Sequence, residues 1–455
     1  MEFLREQPIS KTGSIDIRAV CVFLTTGMFL GGDTYFEDLK VAAPGTDYRV
    51  DPSGRVTNRA TRFSWFSRSG SETEERGEHL DKFEALLDRA CGVAGRLVVA
   101  LSGGLDSRTI AASLANSQRQ VSSYSYSFEG GEDERRFGRE VGGICDFRHR
   151  ELGIPSGYLW DRLDRLSNAT ACYSEFTHPR QMAVIDAVDR MGDTLCLGHW
   201  GDVLFDGFGM PLDFSFDRLC EVAFSRFVKR EGLDLANEVW REHFSDEDFE
   251  TTLRNRFRSG LEQIEIEDPN ARLRAFKSLN WAPRWTSVNL SIFRLAGSLV
   301  VPYYSDEMCQ FICETPEPLL QNRKLQIEYI KRKSPDLARI AWQTHAPFDL
   351  YSYDKILKWQ GVPARARGRL EQEWRSTTRG RRVRYNWEGQ FLGVENEARL
   401  KAWLLETQSL FDLVDKQQVI RVLANFSRDP YANWHSVTML LTLAVFSSKR
   451  HLWIE

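Results

Sequence analysis

The residues best suited to chemistry lie in one run, Ser102-Gly103-Gly104-Leu105-Asp106-Ser107. Small residues at 102–104 let backbone N–H groups converge with no side chain in the way. The positive end of a following helix would add to them, so the turn reads as an anion nest. Ser102 and Ser107 supply hydroxyl donors. Asp106 sets one carboxylate beside the nest, where Mg²⁺ bridging two phosphates would sit. No Gly-Lys-Ser/Thr follows the glycines, so this is not a Walker loop. The structural alternative is a strand–turn–helix joint that uses glycine only to turn.

These residues need a strand before them and a helix after. Leu97 to Leu101 is a continuous apolar run, and Arg108 to Leu114 reads as a helix. The alternation continues to about residue 215. Strands are predicted at 96–101, 121–128, 146–151 and 194–198, and helices at 107–114, 132–143 and within 156–191. Such alternation implies an α/β fold, a parallel sheet with flanking helices whose ligands bind at the carboxyl ends of the strands. The Ser-Gly-Gly turn lies at one such end, and Gly198-His199-Trp200-Gly201-Asp202 at another. Beyond 215 the pattern turns mostly helical, with Phe224, Phe227, Phe293, Leu440 and Phe446 at helical spacing and suited to core. Residues 17–32 are strongly apolar but too short to span a bilayer and contain Arg18, so they predict a buried helix rather than a membrane or signal segment. The chain thus divides into a preface (1–90), a nucleotide-binding α/β part (91–350) and a helical C-terminal part (351–455).

A net charge of −4 over 455 residues gives no global reason to expect nucleic acid. Eight scattered cysteines form no Cys-x-x-Cys, which suits reduced core thiols in a cytoplasmic protein. One stretch departs from neutrality. Residues 364–384 hold eight arginines against Glu371 and Glu373. They read as a solvated face or as a docking surface for an acidic substrate or carrier.

The pattern Ser-Gly-Gly-x-Asp-Ser resembles the pyrophosphate loop of the N-type ATP pyrophosphatases. Further segments, in order, resemble the synthetase part of the asparagine synthetase family, which includes β-lactam synthetases, carbapenam synthetases and lasso-peptide cyclases. They are Asp33–Leu39 with Pro44-Gly45, Ser125–Glu129 with Glu132–Glu134, Gly198–Gly207, Val301–Asp306, and Asn322-Arg323-Lys324 through Phe348. The resemblance implies ATP and Mg²⁺ as cofactors. It implies ATP contacts from Leu101, Ser102, Gly103, Gly104, Asp106, Ser107, Ser127 and Gly201, and Mg²⁺ held by Asp106 and Asp202. A helix N-cap is the structural alternative for Asp202.

The departures from the family are informative. The family's glutaminase domain needs Cys directly after the initiator Met, where Glu2 stands here, and about ninety residues would not hold that domain. The amine is therefore expected from free ammonia, a separate glutaminase or the substrate itself. His199 stands where the family has Glu or Tyr near the attacking amine, and near its usual pKa could take a proton. A loop-bonded structural histidine is the alternative. His345 replaces a phosphate-facing Lys, for which Arg323 and Lys324 are possible substitutes, and Ser305 replaces an Asp. Glu175, Arg180 and Arg284 are plausible pocket residues. The implied activity is AMP-forming amide ligation of a small-molecule or peptide carboxylate with an amine. Its alternatives are an intramolecular lactam or macrolactam cyclase and a non-catalytic nucleotide-binding protein. No membrane partner is expected.

Overall fold

The computed structural model describes residues 3–5, 13–52, 56–61, 64–65, 76–115, 119–129, 131, 133, 135–244, 247–357 and 390–450. The arginine-rich stretch 364–384 lies outside them. The centre is a five-stranded parallel sheet: β1 (Leu97–Ala100), β2 (Val121–Phe128), β3 (Arg148–Ile154), β4 (Thr194–Cys196) and β5 (Ser298–Val300), in the order β3-β2-β1-β4-β5. Every pairing is parallel, with Val98 opposite both Ser122 and Leu195. The chain moves outward from β1 to β3, then returns to the other side of β1 for β4. The carboxyl ends of β1 and β4 therefore flank the topological switch point, where an open α/β sheet leaves a crevice.

Side-chain alternation along β1 feeds two apolar clusters. Val98, Tyr124 and Leu195 belong to one, and Leu97, Val99 and Cys196 to the other. The second cluster is closed by α2 (Arg76–Cys91), α3 (Leu105–Leu114) and α6 (Lys324–Lys333) through Phe83, Ile110 and Tyr329. The first is larger and crosses the divisions at 90 and 350. It joins α1 (Ile17–Thr26) and the segment to Phe36 with α7 (Pro430–Lys449). The Tyr35 ring lies 3.6 Å from that of Phe446, and the Tyr35 hydroxyl donates to Cys172 O at 2.6 Å. The outer segments of the chain therefore complete the core of the sheet instead of packing by themselves.

The apolar stretch 17–32 forms α1 only as far as Thr26. Gly27, at φ 76°, ends the helix, and Met28, Phe29 and Leu30 continue buried without helical form. The third strand begins two residues later than the sequence suggests because Asp146 turns left-handed, at φ 55°, after α4 (Arg135–Ile144). Helix α3 begins two residues earlier than expected, since extended Gly104 serves as its N-cap. All eight cysteines are free and seven are buried. Among the described residues no helix is long and apolar enough to cross a membrane.

Candidate active site at the switch point

The turn after β1 is tied together by its own hydroxyls. Ser102 N donates to Ser107 Oγ at 3.2 Å, the two serine hydroxyls lie 3.1 Å apart, and Gly104 N donates to Ser102 Oγ at 3.3 Å. Leu101, at the end of the strand, donates its N–H to Tyr124 O at 2.8 Å and is buried. Fully buried Arg108 clamps the turn from below. It donates to Gly103 O at 3.3 Å, Ile340 O at 2.9 Å, Ala341 O at 2.9 Å and Leu337 O at 3.4 Å. The segment it grips covers the turn, with Gln343 N donating to Gly103 O at 3.2 Å. A Cβ on Gly103 would stand 2.5 Å from Gln343 Cβ, so only glycine fits there.

Asp106 lies in the first turn of α3, where the helix dipole favours an anion. Its Oδ1 accepts from Arg323 Nη1 at 2.7 Å and from Gln326 Nε2 at 3.0 Å. Buried Gln326 is also bonded to the Tyr303 hydroxyl, which donates to the Asp106 carbonyl at 3.3 Å. Burial raises the Asp106 carboxyl, Arg323 pulls it down and Asp202 raises it further, leaving it above the usual carboxylate range. Asn322 and Arg323 both adopt left-handed backbone, at φ 53° and 59°, directly before α6. Two such residues in succession are costly, and here they deliver the guanidinium to Asp106.

The second half of the site follows β4. Trp200 is left-handed at φ 80° and serves as N-cap of the short helix Gly201–Leu204, with its indole N–H donating to Ser278 Oγ at 3.1 Å. The N-cap reading of Asp202 is thereby excluded. Asp202 is exposed in the first turn. A Cβ on Gly201 would collide with the Asp106 carboxylate, and one on Gly198 would stand 2.9 Å from the Asp106 carbonyl carbon. These two glycines let the turns after β1 and β4 meet. Asp106, Asp202 and Asp206 interact electrostatically, with Arg323 as their shared counter-charge.

His199 packs against Phe293, ring centroids 5.5 Å apart, and its buried Nδ1 has no hydrogen-bond partner among the described residues. Burial lowers its pKa to about 4, so the imidazole is uncharged near neutral pH and does not titrate near its usual value. His345 stacks on Trp342 at 4.0 Å and its Nδ1 lies 2.9 Å from Thr344 Oγ1; partial burial lowers its pKa as well. Lys324 is exposed at the start of α6, while its neighbour Arg323 reaches the site. Ser305 caps the helix Asp306–Glu314, accepting from Met308 N at 3.2 Å. Ser127 lines a groove of about 470 Å³ at the ends of β2 and β3, with Glu129, Asp133 and Arg135.

Of the three pocket candidates, Arg180 donates to the Tyr126 hydroxyl at 3.0 Å. Buried Glu175 accepts from Thr177 N at 2.6 Å and pairs with His178. Arg284 is buried in a π-helical turn, Ala282–Thr286, bonded to Asp33 O, with Nε and Nη1 unpartnered among the described residues. The clamp of Arg108, the cover of Gln343 and the Tyr303–Gln326 support of Asp106 have no local sequence signal.

Residues 82–366 match the family model described as asparagine synthase. The match spans more than half of the chain, and the chain belongs to the asparagine synthase family, a family of ATP-using synthetases. Among solved structures, an NMN synthetase from Francisella tularensis is similar at 12% identity and a TM-score of 0.24, covering 48% of this chain and 96% of that one. That likeness is too distant to carry an argument. No curated protein sequence matches the chain.

Proposed function

We propose that this chain activates a carboxylate with ATP as an acyl-adenylate, releases pyrophosphate, and transfers the acyl group to an amine with release of AMP. The observation that carries this reading is the meeting of the hydroxyl-lined glycine turn 102–107 with the Asp106–Asp202 pair at the switch point. An amide formed from a carboxylate needs an activated leaving group, and a turn of converging N–H and O–H donors suits pyrophosphate in that role.

The donor set fits a hard divalent cation. Asp106 and Asp202 offer oxygen ligands, and no group of three or more His, Cys, Asp or Glu among the described residues could hold a metal by itself. Mg²⁺ held by these two carboxylates would complete its shell with phosphate and water oxygens. When bound it supplies charge neutralisation on the phosphates. Arg323 holds Asp106 in the orientation seen here. In the second step the attacking amine must lose a proton, and His199 Nδ1, uncharged and without a partner among the described residues, is the acceptor we assign. The acid is a small-molecule or peptide carboxylate, and the amine is external or part of the same molecule. Free thiols throughout support a cytoplasmic setting.

A second reading, nucleotide binding without chemistry, draws support from His345, which offers no permanent cation to the phosphates and is held instead by Trp342 and Thr344. Pyrophosphate release from ATP·Mg²⁺, measured across a panel of carboxylic and peptide acids, separates the two. The ligase reading expects acid-dependent release that disappears in Asp106→Ala. ATP binding by calorimetry with no release across the panel would support the second reading and overturn the first.

A further inference from the structure

Asp106 Oδ1 faces the turn after β4, since a Cβ on Gly201 would collide with it. A cation bridging Asp106 and Asp202 draws on this oxygen. Two donors already take it, Arg323 Nη1 at 2.7 Å and Gln326 Nε2 at 3.0 Å. A carboxylate oxygen offers two lone-pair directions, and these two bonds use both. Gln326 is neutral and is also held by the Tyr303 hydroxyl at 3.3 Å. Arg323 is the charged occupant, and a divalent cation beside its guanidinium would meet like charge. Guanidinium and metal are therefore rivals for one oxygen.

A second carboxylate lies within reach of Arg323. Asp206 acts on it electrostatically, as Asp106 and Asp202 do. Asp206 is half-buried and makes no ion pair among the described residues. Burial raises its carboxyl, and Arg323 is the strongest group opposing that rise. Its backbone is fixed from α5 (Pro269–Trp281), where Arg274 Nη2 donates to the Asp206 carbonyl at 3.0 Å. The charge of Arg274 goes to Glu317, 2.7 Å away, and leaves the Asp206 carboxylate for another cation. The backbone under Arg323 is under strain, with Asn322 and Arg323 both left-handed. Such backbone persists only where its surroundings enforce it, and the contact with Asp106 is one such restraint.

We propose that Arg323 alternates between two seats, Asp106 and Asp206, and that its seat on Asp106 closes the metal position. With Arg323 on Asp106, a free cation is excluded. With Arg323 on Asp206, Asp106 and Asp202 are open to Mg²⁺ arriving with ATP. A ligand shifts such an equilibrium only by binding one state better, and ATP·Mg²⁺ binds the open one. The cation thus enters with the nucleotide instead of before it. The inference rests on the metal placement in the AMP-forming reading.

The test is calorimetric titration of the full chain with Mg²⁺ alone and then with ATP·Mg²⁺, in alkaline buffer that keeps Asp106 ionised. Arg323→Met should bind Mg²⁺ alone about 10-fold or more tighter than the wild type, the scale on which a neighbouring charge alters a carboxylate's affinity for a proton. The gain should vanish when Asp106→Ala is added. Asp206→Asn, which confines Arg323 to Asp106, should weaken ATP·Mg²⁺ binding by about 5-fold or more, because the open state is then rarer. Charge alone predicts the opposite, since a carboxylate beside a triphosphate opposes it. Equal Mg²⁺ affinity in wild type and Arg323→Met, or a gain that survives Asp106→Ala, would overturn the exclusion. Unchanged or tighter ATP·Mg²⁺ binding by Asp206→Asn would overturn the second seat. Both results leave the AMP-forming reading standing, whose own failure shows separately as ATP·Mg²⁺ binding with no pyrophosphate release across the acid panel. If Arg323→Met proves unfolded by thermal melting, Arg323→Gln takes its place with the same expectations.

Discussion

At the scale of single residues, the site depends on how closely two turns approach. Gly201 abuts the Asp106 carboxylate, so Gly201→Ala is expected to displace it and lower pyrophosphate release by roughly 100-fold, the usual consequence of a misplacement near 1 Å. Thermal stability should change far less, which a melting curve alongside the assay would check. Arg323 is the strongest group opposing the burial of Asp106. Removing it as Arg323→Met raises the Asp106 carboxyl further. If the ionised form holds the metal, the acid limb of the pH profile for ATP·Mg²⁺ binding should move to higher pH. An unmoved limb would mean that Asp106 does not control binding. The nest was legible because Ser102 to Ser107 carry it within six consecutive positions. Gln326 and Tyr303 reach Asp106 from about two hundred positions away, and no local spacing announces such an approach. Arg323 was visible only as a substitute for a family lysine, without its partner.

At the scale of elements, strand–helix alternation pointed to the parallel sheet and the carboxyl-end location of the site: Leu97–Ala100 is a continuous apolar run, while β2 and β3 carry polar residues and are marked by the helices that separate them. Ends were less legible. They depend on single backbone events, such as left-handed Asp146 and extended Gly104, that side-chain pattern does not encode. The π-helical turn at Ala282–Thr286 was also unread, although Pro283 within a helical pattern is a signal of disrupted bonding. Arg108 stands in the predicted helix 108–114 with nothing local to mark its role, yet it donates to four carbonyls, of Gly103 in the glycine turn and of Leu337, Ile340 and Ala341. Arg108→Met removes the donor to the Ile340 and Ala341 carbonyls, while those of Gly103 and Leu337 keep backbone donors from Gln343 and Ile340. It should cost about 3 kcal/mol in urea unfolding and loosen the cover over the glycine turn. A loss below about 0.5 kcal/mol would show that the clamp is not structural.

At the scale of the whole molecule, the first and last segments of the described chain meet in one core. The division at 90 and 350 was drawn from the pattern of predicted elements along the chain, which does not show that α1 and α7 share partners. His435 on α7 makes this contact polar, with Nε2 lying 2.8 Å from Leu24 O, and burial lowers its pKa to about 4. In the unfolded chain the same histidine binds a proton near pH 6.5, so its contribution is intact above that value and is lost as pH falls toward 4. The expected loss is about 3 kcal/mol from His435 by pH 4. His435→Gln, which cannot titrate, should flatten that part of the stability curve measured by urea unfolding. Removal of the ring that stacks on Tyr35, as Phe446→Ala, should cost about 3–5 kcal/mol and destabilise the sheet and both outer segments in one transition. Separate transitions for these parts would contradict a shared core. The central claim is that this molecule splits ATP between its α and β phosphates to activate an acid. Phosphorus NMR of ATP incubated with the chain, Mg²⁺ and the acid panel tests it most directly. The account expects AMP and pyrophosphate to appear only when an accepted acid is present, and ADP with orthophosphate would contradict it.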